Sequence, residues 1–464
     1  FPVIRKLYYQ DYSDIKSGFI DFQTDNWKGK PGIRKLYYQD YSAKGRPDII
    51  TLHHCPHCYR QLGKNALTSF ATKGNEPFSA LIQTQFDLEG VVAEKEDTNR
   101  FPNQGRKVLL FSDSRQRAAK LARDLSDIGD MKVIRQLFCI AVNAMEQCEE
   151  ESKQNLDYLY GFFVWEAAKR NVPIFSGDSG EIFQDHVAKM LAKFNVRQRR
   201  RKHVPDMRME NAPYAMQAGI LRLFCGGYNT LMDTALSWLE PTEESMDLAY
   251  GLLEDTASKA GGDFDNVFRE YFYAWSLDIL DEHMALGPSI PNNGRDSARK
   301  IYNAYGLDRN WKFSDSFLQI TGWSETESAR WHHIFNVCFL EWSEQNEGYF
   351  IDLSKVQPRF DRKHIWMRCN HCSNTVAFSV MGKCPICGEK ELHDLSSSEV
   401  EALKFWQEPV FQAMKGDLIH VIDTEEHTAQ LSHKDQRDDL WSKTEQYELR
   451  FQDLIQDGET PVDI

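Results

Sequence analysis

Two cysteine pairs constrain this chain more than any other feature. Two residues separate Cys369 from Cys372 and Cys384 from Cys387, and 11 residues separate the two pairs. Each pair offers two thiolates from one tight turn, and the spacer is long enough for a β-hairpin that brings the turns together. Four thiolates in tetrahedral geometry suit Zn²⁺ at about 2.3 Å and leave no position open for water. The spacing predicts a structural zinc ribbon, with a disulfide pair or an iron–sulfur site as the alternatives.

The remaining cysteines divide into two groups. Cys55 and Cys58 form a pair without a second pair beside it, and we predict half of a second zinc site there; a redox or adventitious site is the alternative. Four others lie singly among apolar neighbours and are interpreted as buried core thiols: Cys139, Cys148, Cys225 and Cys338. His371 lies inside a ribbon pair and is interpreted as a bystander.

Composition bounds the class of protein. The chain has 464 residues, with 55 Lys and Arg against 69 Asp and Glu, a net charge of −14. This balance argues against a polycation that coats nucleic acid, but it does not exclude a local basic channel. The densest basic run, 197–203, is either a phosphate-contacting patch or a solvated loop.

Other sequence signals indicate the cellular compartment of the protein and whether the sequence is a complete chain. No run approaches the ~18 apolar residues of a membrane span, and no signal peptide is visible. Paired thiols in such a chain favour metal binding in a cytoplasmic protein, without a membrane partner. Because the sequence starts at Phe1 and stops at Ile464 within an apolar run, we expect a piece of a longer protein.

The first 50 residues contain a duplicated decamer. Ile4–Ser13 recurs as Ile33–Ser42. The decamer is rich in aromatic residues and has strand propensity. Two copies do not predict a solenoid, so we expect a strand-rich segment at 1–50, followed by a zinc knuckle and linker at 51–106.

Residues 107–125 predict one β–turn–α unit. Val108–Phe111 is an apolar run suited to a strand buried on both faces. Ser112–Ser114 is a polar turn with helix-capping residues, and Ala118–Leu125 has the periodicity of an amphipathic helix. In open α/β domains, ligands gather at the carboxyl ends of such strands.

A long segment without β–α alternation follows. Residues 126–363 are predicted to be an α-helical insert, with helices expected at 134–148, 156–170, 183–194, 214–224, 231–253 and 266–286. The zinc ribbon is expected at 364–393. A strand at 418–422, a charged helix at 434–456 and a strand from Val462 would resume the α/β domain within 394–464.

Hydrolase machinery is not recognisable in the sequence. There is no G-x-x-x-x-G-K-[ST] phosphate loop and no G-x-S-x-G or H-E-x-x-H. Asp281-Glu282-His283 matches a helicase DE-x-H box in letters only, because no apolar strand precedes it. We therefore predict no catalytic residues.

Three stretches carry a family resemblance. Lys107–Leu125 resembles motif IV of superfamily 2 helicases of the DEAD/DEAH type, which opens their second RecA-like lobe. Glu425–Leu431 is similar to the next helicase block, and Glu448–Asp453 to the helix before motif V. With Cys55, Cys58 and Gly74–Phe78 upstream, the chain resembles large bacterial helicases with zinc-binding C-terminal regions, including the phage-defence helicases of DISARM-type systems.

The resemblance implies a fold and a function. The fold would be a partial RecA-like parallel sheet, of the α/β class, interrupted by a large helical insert with a zinc ribbon. The function would be part of an ATP-dependent DNA helicase or translocase in phage defence. ATP and Mg²⁺ would bind through motifs outside this sequence, as would the arginine finger, so this stretch alone is not expected to hydrolyse ATP.

The expected partners follow from the same resemblance. Single-stranded or duplex DNA is the main one, and another subunit of a defence complex is a further candidate. The residues expected to contact nucleic acid are Ser112, Ser114, Arg115, Gln116, His427, Thr428 and Gln430, with local capping or surface salt bridging as the alternative for each. Two rival functions remain: a non-catalytic zinc-ribbon scaffold or DNA-binding subunit of a motor complex, and, more weakly, a metal-dependent nuclease.

Overall fold

The chain forms two compact units. The computed structural model describes residues 15–21, 33–40, 50–52, parts of 81–90, 104–108, 115–197, 206–227, 229–260, 264–301 and 304–421, some of them in their backbone alone. The first unit comprises Phe1–Lys73 with Arg368–Asn374, and the second comprises Gly74–Met367 with Thr375–Ile464.

The first unit contains a small antiparallel sheet. Its strands are β1 (Ile15–Asp21), β2 (Ile33–Asp40) and β3 (Ile50–Leu52), in the order β1-β2-β3. Ile15 pairs with Gln39 and Asp21 with Ile33. The second copy of the decamer therefore forms the central strand, while the first copy lies outside the described residues.

Helices dominate the second unit. In chain order they are α1 (Arg115–Glu146), α2 (Leu159–Arg170), α3 (Gly177–Arg197), α4 (Tyr214–Cys225), α5 (Glu243–Ala260), α6 (Phe264–His283), α7 (Asn292–Ala298), α8 (Asp315–Thr321), α9 (Glu325–Phe339) and α10 (Ser397–Lys415). Short 3₁₀ turns occur at Glu151–Lys153, Met209–Asn211 and Leu353–Lys355. None of the described helices is both long enough and apolar enough to cross a membrane.

The remaining strands, from β4 onward, are short. β4 (Trp238–Pro241) pairs with β7 (Val356–Arg359), and β5 (Leu340–Ser343) with β6 (Gly348–Ile351), both antiparallel. β8 (Met367–Cys369), β9 (Thr375–Val376) and β10 (Leu392–Asp394) form a sheet in the order β10-β8-β9.

The described residues confirm the predicted fold class in part. They form a mostly helical α/β structure with small sheets, and they contain no large parallel sheet of the RecA-like kind. The stretches expected to build that sheet, 109–114 and 422–464, lie outside the described residues. The strand predicted at 418–422 is wrong over 418–421, which is irregular: Ile419 packs into the helical core, and no strand pairs with this stretch among the described residues.

An aromatic cluster holds the helices together. Phe272 of α6 lies 4.6 Å from Phe339 of α9 between ring centroids, and Trp275 lies 4.7 Å from Phe335. All four rings are fully buried. Large aromatic side chains contribute more buried area than any others, so the pairing of α6 with α9 is the centre of the core.

Helical periodicity predicted several of these helices well. α2, α4 and α6 begin and end within three residues of the predicted helices at 156–170, 214–224 and 266–286. The helix predicted at 231–253 is wrong in its first half, because a turn and β4 precede α5. Thr230 and Asp233 close that turn, each accepting a hydrogen bond from the other's backbone N–H at 3.2 and 3.1 Å.

A buried arginine satisfies the backbone that follows α6. Arg295 is fully buried, and its guanidinium donates to the carbonyls of Met284 and Gly287 at 2.6 Å, Leu286 at 2.9 Å and Ile290 at 3.1 Å. It also lies 4.2 Å over the ring of Phe350. Buried carbonyls that lose a donor are destabilising, so one side chain stabilises the whole connection.

Replacing Arg295 should be among the most destabilising changes on α7. Arg295→Ala removes one donor from each of four carbonyls, and we expect the free energy of unfolding to fall by about 3 kcal/mol or more. Arg295→Lys should recover only part of the loss, because an ammonium has three donors. Arg330→Ala, an exposed site on α9, is the control and should cost less than about 0.5 kcal/mol. Urea unfolding measures all three, and equal losses at 295 and 330 would contradict this assignment.

A carboxyl on α6 should make stability depend on pH. Burial raises the pKa of Asp278 from 3.8 to about 6, reinforced by Glu282 and Asp281 and opposed by the Ser314 hydroxyl. Because the folded state binds this proton more tightly, its contribution is complete below pH 4 and is lost as pH rises through 6. Asp278→Asn should therefore be more stable than the wild type at pH 8, by up to about 3 kcal/mol.

A substitution at an exposed site is the control for this pH series. In denaturant unfolding, the advantage of Asp278→Asn should be nearly constant between pH 8 and pH 7 and should shrink as the pH falls through about 6 towards 4. Glu344→Gln, at an exposed site, should show no such trend. A difference independent of pH would mean that the carboxyl is already ionised in the folded protein.

Candidate metal centre

The first cysteine pair lies on a turn between β8 and β9. Cys369 ends β8, and its backbone N–H donates to the Asn374 carbonyl at 3.1 Å while its own carbonyl accepts from the Ser373 N–H at 2.8 Å. Ser373 has a φ of +62°, which closes the turn. These bonds fix Cys369 and Cys372 at the two ends of one tight loop.

The second pair follows a two-residue hairpin turn. Val380 and Lys383 exchange two backbone hydrogen bonds of 2.9 Å. Beyond them the Cys384 N–H donates to the Glu389 carbonyl at 2.8 Å, and the Gly388 N–H donates to the Cys384 carbonyl at 2.9 Å. Gly388 has a φ of +75°, a conformation that favours glycine.

The four sulfurs lie close enough to share one ion. The ligand atoms of Cys369, Cys372, Cys384 and Cys387 are all within 4.8 Å of one another. With Zn–S bonds of about 2.3 Å, tetrahedral sulfurs lie roughly 3.8 Å apart, so the donor set fits zinc. The predicted approach of these four cysteines is confirmed, and His371 is not part of the group.

Burial favours a structural site. The three cysteines 369, 372 and 384 are fully buried, and Cys387 is partly buried. None of the four forms a disulfide in this structure. Since all four ligands would come from the protein, a bound zinc ion would have no open position for a substrate.

The hairpin around the second pair is anchored to two helices. The Lys383 ammonium donates to the carbonyls of Ile320 at 2.8 Å and Gln319 at 3.3 Å, near the end of α8. The Met381 N–H donates to a Glu270 carboxylate oxygen of α6 at 3.0 Å. A cation at a helix C-terminus is favourable, so Lys383 both caps α8 and fixes the hairpin.

A buried tyrosine adds a third anchor. The Ala377 N–H donates to the Tyr273 hydroxyl oxygen at 2.8 Å, and the hydroxyl lies 3.1 Å from the Met232 sulfur. Burial raises the pKa of Tyr273, so the phenol stays neutral. Hydrogen bonds to α6 and α8 thus attach the segment that carries the second cysteine pair to the helical core.

The single cysteines are mostly core residues, as predicted. Cys139, Cys225 and Cys338 are buried. Burial raises the pKa of Cys139 and Cys225 to about 12 and that of Cys338 to about 11. These thiols are therefore protonated, which makes them poor nucleophiles. Cys148 differs, because it is only partly buried at the edge of the core.

Most of the predicted nucleic-acid residues fall outside the described part of the chain. Arg115 and Gln116 are the first residues of α1, described in their backbone alone. The others lie outside the described residues, as do both members of the lone cysteine pair: Ser112, Ser114, His427, Thr428, Gln430, Cys55 and Cys58. Of the basic run, Arg197 ends α3 and 198–203 are outside. These assignments stay predictions.

One contact joins the two stretches that flank the helices, which the sequence analysis assigns to one α/β domain. The Arg106 guanidinium Nη1 lies 3.4 Å from His420 Nε2, although 314 residues separate them. Arg106 also donates to the Glu89 carbonyl at 3.1 Å, and the Lys107 N–H donates to the Glu89 carboxylate at 3.2 Å. A single sequence carries no signal for such a long-range pair.

Comparison with known proteins finds a distant relative. In an alignment of 445 residues that covers 89% of this chain, the sequence is 27% identical to the Druantia protein DruE of Escherichia coli strain UMEA 4076-1. The chain spans 23% of the length of that relative. No protein-family profile matches the chain, and no solved structure matches it significantly.

The zinc content of Cys→Ser variants should show which cysteines bind the metal. Cys384→Ser should reduce the zinc content of the purified chain from about one ion to well below half, since it removes one of four thiolates. Cys148→Ser, which lies outside the cluster, should leave the content unchanged. Elemental analysis after gel filtration gives both numbers. Full zinc retention in Cys384→Ser would rule out this donor set.

Proposed function

We propose that this chain is part of an ATP-dependent DNA helicase or translocase that acts in bacterial phage defence. The observation that carries the proposal is the similarity to the Druantia protein DruE, a phage-defence protein, over nearly the whole chain. The similarity covers 89% of the residues and therefore includes most of the helical region. A shared defence role is the simplest account of that extent.

The local structure around α1 supports the motor assignment. The resemblance to motif IV requires a buried strand, a short polar turn and a helix that starts with an Arg-Gln pair. α1 begins at Arg115, and Val108 is buried against Leu121 and Leu125. This is the packing expected when an apolar run is followed by a helix that folds back on it.

In such a motor the second lobe would contact phosphates. Ser112 and Ser114 would offer hydroxyls and backbone amides, and Arg115 could bind phosphate with two parallel hydrogen bonds. Gln116 would contact nucleic acid or the facing lobe. His427, Thr428 and Gln430 would line the same path. ATP and Mg²⁺ would be bound by other parts of the complete protein.

The metal centre would serve the motor indirectly. Four protein thiolates leave zinc no free position, so its contribution is to hold the Cys384–Cys387 hairpin against α6 and α8. A stiff hairpin keeps its exposed residues in fixed positions. That is what a DNA-contacting or partner-contacting ribbon requires.

A non-catalytic role is the second candidate. The described residues are mostly helical, and a four-cysteine cluster is the sole metal-binding group found among them. Those features suit a zinc-ribbon scaffold or DNA-binding subunit that docks a separate motor. The two functions differ in one measurable property, which is whether the protein containing this chain hydrolyses ATP.

ATPase activity of the full-length protein tests the proposal. We expect hydrolysis that single-stranded DNA stimulates, and Arg115→Ala should reduce the stimulation at least tenfold because the side chain would no longer reach phosphate. Arg330→Ala is the control and should behave as the wild type.

Phage plating separates the two candidates. The motor function predicts that Arg115→Ala loses both ATPase stimulation and protection against phage. Protection without any ATPase activity would favour the scaffold. Hydrolysis that ignores both DNA and the Arg115 substitution would contradict the motor assignment.

A further inference from the structure

A tight turn between β7 and β8 carries two adjacent basic side chains. The His364 N–H donates to the Asp361 carbonyl at 3.2 Å, and the Lys363 N–H donates to the Asp361 carboxylate at 2.8 Å. Arg362 and Lys363 lie at the tip of this turn, and both are exposed. We call residues 361–364 the basic turn. An aspartate that accepts from the backbone two residues further on stabilises a turn, so the tip has a defined conformation.

The basic turn is attached to the protein core at both ends. Phe360 precedes it and is buried in the main core. At the other end, His364 Nε2 donates to the Ala377 carbonyl at 2.9 Å, and the His364 ring centroid lies 4.3 Å from that of Trp238. The turn therefore projects from a fixed base.

An aromatic ring on α10 orients the arginine of the turn. The Arg362 guanidinium carbon lies 4.3 Å from the Phe411 ring centroid. Phe411 packs in turn against Phe360, with ring centroids 6.4 Å apart. Stacking uses the flat face of the guanidinium and leaves the N–H groups on its edge available. Because pairs of these N–H groups match the oxygens of a phosphate, the stacked Arg362 is arranged for a bidentate anion.

A third cation lies one helical turn from this ring. Lys415 follows Phe411 by four residues on α10 and is exposed, and residues four apart are neighbours on a helix surface. Among the described residues, neither Lys415 nor the two tip residues of the basic turn pair with a carboxylate. The same surface therefore presents three positive charges without an ion-pair partner in the described part of the chain.

This positive charge contrasts with the rest of the chain. Residues 359–368 contain four Arg and Lys residues and one Asp, whereas the whole chain has a net charge of −14. Arg359 pairs with Glu240 at 3.2 Å, which leaves the tip residues for an external anion. A local basic cluster on an acidic protein is typical of a contact with a polyanion. Three neighbouring cations fit successive phosphates better than they fit one isolated phosphate.

We propose that Arg362, Lys363 and Lys415 bind the phosphate backbone of a DNA strand. Arg362 holds one phosphate with two parallel hydrogen bonds, and the two lysines contact neighbouring phosphates as point charges. The contact carries no base specificity. None of the three residues is among those that the helicase resemblance implies. The choice of DNA rests on the proposed function, and the binding of a phosphate backbone rests on the three cations.

The salt dependence of DNA binding tests this contact. The probe is a fluorescent single-stranded oligothymidylate, titrated with the full-length protein without ATP at several salt concentrations. Arg362→Ala should weaken binding about tenfold. It should also reduce the slope of log affinity against log salt by about 0.7, the value for one phosphate of a single strand.

Three further variants define the role of each cation. Lys363→Ala and Lys415→Ala should each reduce the slope by about 0.7 as well. Arg362→Lys should keep the wild-type slope, because the charge is retained, but should lose part of the affinity, because an ammonium does not form the bidentate pair. An unchanged slope in Arg362→Ala would overturn the contact, whether or not the affinity falls.

Arg309→Ala is the matched control. Arg309 is also exposed and lies 4.7 Å over an aromatic ring, that of Trp342, so its replacement removes the same charge and the same kind of stacking. Both the affinity and the slope should stay at the wild-type values. An equal loss in Arg309→Ala would overturn the site, because any exposed cation would then have the same effect.

ATP hydrolysis separates this contact from the proposed function. If the full-length protein hydrolyses no ATP but the slope falls in Arg362→Ala, the DNA contact stands and the motor function fails. If DNA stimulates hydrolysis and the three alanine variants bind DNA as the wild type does, the motor function stands and the contact is overturned. A wild-type protein that does not bind the oligonucleotide would also overturn the contact.

Discussion

A buried guanidinium holds the chain where α6 ends. The backbone from Met284 to Ile290 turns through the interior, and its carbonyls need more donors than the neighbouring backbone supplies. Arg295 supplies them from α7 and stacks on Phe350 of β6. Burial lowers its pKa only to about 10, so it stays charged at neutral pH. Three parts of the structure depend on this connection. They are the aromatic pairing of α6 with α9, the β5–β6 hairpin, and the contacts of α6 and α8 with the hairpin before Cys384.

The sequence predicted features whose causes are local. Cysteine spacing predicted the four-sulfur cluster, because each pair of cysteines needs only one short turn to form. Apolar periodicity foretold α2, α4 and α6. It did not predict that the helices expected at 118–125 and 134–148 are one helix, α1, since Ser126 and Gly129 are typical of a helix end. β4 was missed because its partner β7 lies far along the chain, beyond any window that periodicity can use.

Hydrogen bonds fix the hairpin of the second cysteine pair to the helical core. Lys383 fixes the hairpin before Cys384 to α8, and Glu270 fixes it to α6. α6 also carries Trp275, the largest fully buried side chain among the described residues. A zinc ion at the cysteines would therefore stabilise a surface whose position the core already determines. The similarity to DruE covers 89% of this chain and therefore includes most of the helical region.

The β4–β7 ladder has a consequence for biosynthesis. Glu240 accepts from Trp238, Arg269 and Arg359, and Arg359 arrives with β7, after α5–α9 have been made. Until then a nascent chain on the ribosome holds a carboxylate without its full set of donors beside an unpaired strand edge. Unpaired edges invite aggregation. The whole segment between Thr242 and Lys355, whose backbones are joined by a 3.1 Å hydrogen bond, therefore has to be synthesised before its two ends can be joined.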